Sequence, residues 1–255
     1  MNKKELKSFL DDKANEFEHP KFLQQDPIQI PHQFQKKEDI EISAFLIATI
    51  AWGNRVSIIR SGNRMMEFMG NDPYSFILNY QEKDLKPLKN FVHRTLNGLD
   101  LCYFIKALHS IYTQHGGLES AFSKIPDARY MYENIHEFKK IFFSLPHEKR
   151  TQKHVSDPLN GSAAKRLNMY LRWMVRRSNK GVDFGIWKTL NTAQLSCPLD
   201  VHSGNVARSL GLLKRKQNDF KALLELDTAL RKFDPLDPIK YDFALFGLGV
   251  FEGFK

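Results

Sequence analysis

Helical periodicity recurs along this chain, while valine, which favours strands, is scarce. Only eight valines occur in 255 residues, and the periodic segments are rich in Leu, Ala, Lys, Phe, Glu and Arg. The sequence therefore predicts an all-α protein. Apolar residues at helical spacing predict helices at about 3–17, 40–51, 56–69, 73–80, 84–95, 100–114, 131–143, 162–178, 219–232 and 238–248.

The length of the chain fits one large domain or two interlocked lobes better than a string of modules. Residues 23–37 and 145–160 carry prolines and show little periodicity, so we interpret them as connections within one domain. We expect a single all-α unit over 1–255, with one lobe formed by 40–178 and a second formed by 1–39 together with 179–255.

Composition argues against several broad classes of protein. The longest apolar run, Ile42–Trp52, is far shorter than the ~20 residues of a membrane-spanning helix. No apolar stretch follows the N-terminal lysines as it would in a secretory signal, so we expect a cytoplasmic protein. Two cysteines, Cys102 and Cys197, cannot supply a disulfide framework or a four-cysteine metal or iron–sulfur cluster, and we expect no metal and no cofactor.

Residues 161–180 carry six cations and no acid, in a chain whose formal net charge is +9. At helical spacing Lys165, Asn168, Arg172 and Arg176 fall along one side of this segment. Ordinary solvated helix faces mix both signs of charge, so this face favours a polyanionic partner, of which nucleic-acid phosphate is the commonest. The alternative is a solvated basic helix face.

Small residues at 160–164 open directly into this basic helix. Backbone N–H groups at a helix start can bind a phosphate oxygen, and small residues such as Gly161 and Ser162 allow a DNA backbone to come close. A plain turn with an N-cap is the alternative interpretation of these residues.

A second informative turn lies at 197–212. Its residues predict an extended entry, Asp200 as an N-cap, a helix of about ten residues, and Gly211 as the terminator. The alternatives to a functional role are that Asp200 is only a helix cap and that His202 is a partly buried hydrogen-bonding residue.

Three segments resemble the helix-hairpin-helix (HhH-GPD) superfamily of DNA glycosylases. GSAAKRLN at 161–168 and PLDVHSGNVARSLGL at 198–212 resemble its hairpin and the aspartate turn that follows. LIATIAWGNRVSI at 46–58 resembles its early helix, which ends in a loop that pushes side chains into the DNA stack. GSAAKRLNMYLRWMVR and PLDVH also resemble an uncharacterised bacterial family over roughly 40–250. The separation between the lysine and the aspartate, from 165 to 200, is more similar to archaeal 8-oxoguanine DNA glycosylases, which lack an iron–sulfur cluster.

The resemblance implies a two-lobed helical HhH-GPD-like fold and a base-excision repair DNA glycosylase with AP lyase activity. Its partner would be double-stranded DNA with a damaged base such as an oxidised purine. Lys165 would be the nucleophile, and Asp200 would stabilise the developing sugar cation. Residues expected to contact DNA are Gly161, Ser162, Arg166, Arg172, Arg176, Asn54 and Arg55. Side chains expected to stack on a base are Trp52, Trp173, Trp187 and His202.

Two classes of function stay open on the sequence. A glycosylase requires Lys165 and Asp200 to approach one another in a cleft lined by basic and aromatic residues. A non-catalytic nucleic-acid-binding protein on the same scaffold predicts that Asp200 is only a cap, far from Lys165. RNA is a further possible partner, because charge directed at phosphate does not distinguish the two sugars.

Overall fold

The protein is described by a computed structural model that covers residues 1–254, except for the side chain of Phe22. It is mostly helical, with 64% helix and 2% strand, so the all-α prediction is confirmed. The described residues form eleven α-helices: Lys3–Phe17 (α1), Lys37–Ile50 (α2), Arg55–Phe68 (α3), Pro73–Asn79 (α4), Gly98–Gln114 (α5), Gly117–Phe122 (α6), Met131–Phe142 (α7), Lys165–Val175 (α8), Val201–Ser209 (α9), Phe220–Arg231 (α10) and Tyr241–Val250 (α11).

Short 3-10 helices occupy the connections that the sequence suggested and several others. They are Pro20–Gln25, Pro27–Gln29, Pro31–Gln33, Glu82–Leu85, Pro87–Asn90, Lys149–His154, Pro158–Asn160, Thr192–Gln194 and Pro238–Lys240. Proline opens most of them, because its fixed φ suits a first helical turn and its missing N–H is not needed there. Among residues 1–254, none of the helices combines the length and apolar character needed to cross a bilayer.

The helix predicted at 84–95 is wrong. After two 3-10 helices this segment forms a hairpin, in which β1 (Val92–His93) pairs antiparallel with β2 (Leu96–Asn97). Pro87 lacks an N–H for a helical ladder, and Arg94 in the hairpin turn has a left-handed φ of 54°. Local backbone chemistry therefore overrides the apolar spacing from which the helix was predicted.

The chain divides into two compact units. The terminal unit contains Met1–Phe22, Pro126–Glu133 and the chain from Asp157 onward, and the central unit contains Leu23–Ile125 and Asn134–Ser156. The expected lobes differ from this division, because 157–178 lies with the termini and 23–39 lies with the central segments. The reason is visible in α8, whose arginines form ion pairs with carboxylates of the terminal unit.

The terminal unit is built around α11, which packs against α1 and α9. Leu10 and Ala14 from α1, Val206 from α9 and Leu245 from α11 belong to one buried apolar cluster. At Gly247 an added Cβ would lie 2.1 Å from the Phe17 ring, so α1 and α11 approach closely only because this position has no side chain. This core supports the ends of α8 and α9 that carry the candidate site.

The central unit has an aromatic core. Phe45 of α2 contacts Phe104 of α5 and Phe138 and Phe142 of α7, with ring centroids 5.5–5.9 Å apart. Almost every residue of α2 is buried, so this helix has no solvent-exposed face beyond its first turn. The loop that leaves α2 begins at Ala51 and carries the Trp52 and Asn54 side chains considered below.

Candidate active site

Lys165 is the first residue of α8 and follows a tight turn. Gly161 and Ala164 both have left-handed backbone, with φ of 89° and 45°. The hydroxyl oxygen of Ser162 accepts a hydrogen bond from the N–H of Ala164 at 3.0 Å. The 3-10 helix Pro158–Asn160 directly precedes this turn. A non-glycine residue with such a φ costs about 1–3 kcal/mol, and such strain is concentrated at functional sites.

Asp200 caps the N-terminus of α9, as the sequence predicted. Its Oδ1 accepts a hydrogen bond from the N–H of Ser203 at 3.0 Å, and the Ser203 hydroxyl oxygen accepts one from the N–H of Asp200 at 2.9 Å. This reciprocal capping box satisfies helix N–H groups and fixes the carboxylate. Only Oδ1 is used in the cap, which leaves Oδ2 for another partner.

That partner is Lys165. Its Nζ lies 3.4 Å from Oδ2 of Asp200, with the two side chains 30% and 20% exposed. Asp200 is therefore both a cap and the neighbour of the lysine, which combines two interpretations that the sequence kept apart. An amine and a carboxylate that are partly buried yet still reachable from solvent are suited to act on a ligand.

A buried acid lies behind this pair. Asp242 of α11 accepts a hydrogen bond from Arg172, and the Cys197 thiol donates to its Oδ1 at 3.7 Å. Burial raises the pKa of Asp242 to about 6; the Arg172 and Lys165 charges oppose this rise, and the Asp200 charge adds to it. Burial also raises the pKa of the Cys197 thiol well above its usual range, so this cysteine is an inert neutral donor.

The expectation that Arg172 and Arg176 contact DNA is corrected by their burial, with each only about 5% exposed. Arg172 pairs with Asp183 and Asp242, and Arg176 pairs with Glu18, Asp183 and Asp237. Although burial lowers the pKa of Arg176, hydrogen bonds and charges from these carboxylates hold it above its ordinary value. Arg172 and Arg176 are thus neutralised by Asp183, close in sequence, and by acids from distant parts of the chain.

Trp173 and Trp187 are buried in the terminal unit, with 1% and 0% exposure, which rules out the expected stacking on a base. His202, two residues after the Asp200 cap, is exposed, and Gly161 is exposed beside the half-buried Ser162. Arg166 is partly buried, and burial lowers the pKa of its guanidinium. Of the expected contacts in this unit, Gly161, Ser162, Arg166 and His202 keep positions that a ligand can reach.

The other three candidates lie in the central unit. Trp52 is 37% exposed, and the guanidinium carbon of Arg94 lies 3.9 Å from its ring centroid. Asn54 caps α3 by accepting a hydrogen bond from the N–H of Ser57 at 3.1 Å, and Arg55 is the first residue of that helix. At Gly53 an added Cβ would lie 2.2 Å from the Arg94 guanidinium, so this glycine makes room for the stacked pair.

No group of three or more His, Cys, Asp or Glu side chains that could hold a metal ion occurs among residues 1–254. The Lys165–Asp200 pair is instead backed by one further carboxylate, one guanidinium and one thiol, those of Asp242, Arg172 and Cys197. This arrangement can transfer protons and stabilise positive charge, and its partly buried lysine can act as a nucleophile.

A family model described as protein of unknown function (DUF2400) matches residues 26–251. The chain belongs to the DUF2400 family. The match begins after α1 and includes both Lys165 and Asp200. No curated protein and no solved structure matches the chain. Membership of the DUF2400 family assigns no chemistry to the Lys165–Asp200 pair.

In this DUF2400 protein, replacing Arg176 should have a structural effect. Arg176→Met leaves Glu18 and the fully buried Asp183 without their shared cation. Removing one partner of a buried ion pair is strongly destabilising, and we expect the free energy of unfolding to fall by about 3 kcal/mol. Urea denaturation would measure this loss.

The matched control is Arg177→Met, at the next position, which is exposed. Surface substitutions usually change stability by less than about 0.5 kcal/mol. Equal stability losses in the two variants would contradict a role for Arg176 in holding this DUF2400 fold together.

Sequence reasoning missed two residues beside the Lys165–Asp200 pair, and it missed Arg94 beside Trp52 in the central unit. Asp242 and Asn218 lie far along the chain from Lys165, and their neighbours in sequence give no sign of where they fold. Arg94 lies in the turn between the two short strands, and nothing in the sequence pairs it with Trp52. Each was found only from spatial contacts.

Proposed function

We propose that this protein is a DNA glycosylase with AP lyase activity, acting in base excision repair on double-stranded DNA that carries a damaged base. The observation that carries this proposal is the 3.4 Å approach of Lys165 Nζ to Asp200 Oδ2 at the surface of the terminal unit. A lysine nucleophile beside a carboxylate is the pair that the resemblance to the HhH-GPD superfamily requires.

Base release needs stabilisation of positive charge. When the N-glycosidic bond breaks, the bonding electrons leave with the base and the sugar becomes cationic. The Asp200 carboxylate is held by its capping bonds and is only 20% exposed, so it stabilises that cation more strongly than a carboxylate in water. The geometry is fixed before the reaction, which lowers the cost of reorganisation.

Strand cleavage would follow from the lysine. The Lys165 ammonium first gives a proton to solvent, and the resulting amine bonds to C1′ of the sugar cation. A second proton then leaves this nitrogen and passes to Asp200 Oδ2 or to the departing base. Opening of the sugar ring gives a Schiff base between Nζ and C1′. Loss of a C2′ proton then expels the 3′ phosphate by β-elimination, and hydrolysis of the Schiff base restores the lysine.

The DNA backbone would approach at the turn before α8. Gly161 is exposed, and an added Cβ there would meet no atom within 4 Å. The cap residue of α8, Ala164, supplies no side-chain hydrogen bond to the first helical N–H groups. Those groups favour a phosphate oxygen, and a glycine lets the phosphate come close.

The test is a panel of duplexes that each carry one lesion, including 8-oxoguanine, uracil and an abasic site. We expect base release from at least one duplex and a covalent adduct when borohydride reduces the Schiff base. No release and no adduct on any duplex would overturn the proposal. This negative result would favour the second candidate function, a non-catalytic nucleic-acid-binding protein in which Asp200 has only its capping role.

Stacking of a base on Trp52 predicts a fluorescence signal. Trp52 is partly exposed, whereas Trp173 and Trp187 are shielded from ligands by burial. We expect a duplex with an abasic site to change the tryptophan fluorescence of the wild type but not of Trp52→Phe. Trp52→Ala should weaken binding by about 1–3 kcal/mol, the usual contribution of a stacked base. An undiminished signal in Trp52→Phe would show that nucleic acid does not contact this residue.

A further inference from the structure

The segment Asn218–Phe220 touches both turns of the candidate site. The Asn218 side-chain Nδ2 donates a hydrogen bond to the backbone oxygen of Asp200 at 2.7 Å. Asp219 forms an isolated antiparallel bridge with Ser162, and the N–H of Phe220 donates to the oxygen of Gly161 at 3.0 Å. Three consecutive residues therefore connect the turn that carries Asp200 to the turn that carries Lys165.

Asn218 is itself held in one orientation. Arg208 donates to Asn218 Oδ1 through Nη2 at 2.5 Å and to the backbone oxygen of Arg215 through Nε at 2.8 Å. A guanidinium has only donors, so the amide oxygen must face Arg208 and the amide nitrogen must face Asp200. Gly204 leaves the necessary space, since an added Cβ would lie 2.7 Å from Asn218 Oδ1.

The backbone oxygen of Asp200 accepts two hydrogen bonds, one from Asn218 and one from the N–H of Gly204 at 2.9 Å. Its side-chain Oδ1 is held by Ser203 at the same time. With both the backbone and Oδ1 fixed, the direction of Oδ2 toward Lys165 is set by the position of this turn. The bond from Asn218 ties this turn to the segment that also contacts Gly161 and Ser162.

We infer that Asn218 is a positioning residue, which sets the separation of Lys165 and Asp200 by joining their two turns. The expected effect on catalysis rests on the proposed function, whereas the hydrogen bond between Asn218 and Asp200 does not depend on it. Asn218→Ala should slow the reaction of Lys165 with an abasic-site duplex by about 10–100-fold, the usual cost of displacing a reacting group by about 1 Å. The dissociation constant of the duplex should change less than twofold.

Asn218→Asp replaces the neutral donor with a charged acceptor. The aspartate keeps the shape of the side chain and still accepts from Arg208, but it presents an oxygen to the Asp200 carbonyl where the amide presented N–H. We expect the same loss of rate as in Asn218→Ala. The matched control is Gln217→Ala, an exposed neighbour that bonds to Arg215, and its rate should equal that of the wild type.

A second readout needs no nucleic acid. The lysines are dimethylated with ¹³C-formaldehyde, and the Lys165 signal is assigned by its absence in Lys165→Arg. Asp200→Asn gives the position of this signal without the carboxylate. In both Asn218 variants we expect the signal to move from the wild-type position toward that reference, whereas general loosening of the fold would also shift other lysine signals and lower the melting temperature.

The outcomes separate the two proposals. An unmoved Lys165 signal in both Asn218 variants overturns the positioning role whatever the enzyme does. A moved signal in a protein that releases no base from any duplex supports the positioning role and overturns the proposed function. A moved signal together with the slower reaction supports both. If Asn218→Ala fails to fold, Asn218→Asp decides.

Discussion

Lys165→Ala should abolish the covalent complex that borohydride traps between this protein and a duplex with an abasic site. The adduct requires an amine that bonds to C1′, and Lys165 Nζ is the amine beside Asp200. We expect the yield to fall by more than about 10³-fold, because the nucleophile itself is removed. Denaturing gel electrophoresis of a labelled duplex measures the adduct directly.

Two further variants show whether charge or chemistry is lost. Lys165→Arg keeps the positive charge but provides no amine, so it should bind the duplex and still give no adduct. Lys180→Ala removes another lysine of the same acid-free stretch, one that contacts Asn15, and should give the wild-type yield. An adduct in Lys165→Arg would mean that a different amine is the nucleophile.

Asp200→Asn should slow base release by about 10³-fold while leaving stability close to that of the wild type. The rate falls because a neutral amide cannot stabilise the sugar cation as a carboxylate does. Stability is kept because asparagine is as good an N-cap as aspartate, and its oxygen can accept the bond from Ser203. Single-turnover release of a damaged base measures the rate, and urea denaturation measures stability.

Asp200→Ala gives the contrasting result. It removes both the charge and the cap, so it should lose base release and also about 1 kcal/mol of stability. Asp72→Asn is the matched control, since Asp72 caps α4 by accepting from the N–H of Ser75 in the central unit. If Asp200→Asn released the base as fast as Asp72→Asn, Asp200 would be a cap and nothing more.

An abasic duplex separates the roles of the two residues. The base is already absent there, so no sugar cation has to form during base departure. For Asp200→Asn, the fold decrease in adduct yield on the abasic duplex should consequently be smaller than the fold decrease in base release on a damaged duplex. Lys165→Ala should lose the adduct on both duplexes. Equal fold decreases in adduct yield and in base release would mean that Asp200 accepts the proton of Lys165 and does not stabilise the sugar cation.

Much of the candidate site could be predicted because its parts depend on short stretches of sequence. Asp200 was identified as a cap, and its capping partner Ser203 is three residues away. The turn at Gly161 was predicted from small residues, and the start of α8 follows it directly. The helix wrongly predicted at 84–95 has the same origin, because its apolar spacing was weighed above the local effect of Pro87.

The burial of Arg172 and Arg176 could not be predicted by the same local reasoning. The sequence 161–180 contains no acid, yet Arg172 and Arg176 are neutralised by carboxylates as distant as 70 and 158 positions. Trp173, on the same helix, was expected to stack on a base and is instead core. Helical spacing shows which side chains share a face, but the identity of the opposing surface depends on the whole fold.

The sequence by itself determined the helical class, most helix positions and the caps, because propensities and capping bonds act over a few neighbouring residues. The tertiary structure alone decided that the Lys165 amine lies 3.4 Å from the Asp200 carboxylate and that Arg172 and Arg176 form ion pairs inside the terminal unit. Those contacts join residues far apart in the chain, and their geometry follows from how α1, α8, α9 and α11 pack in the terminal unit.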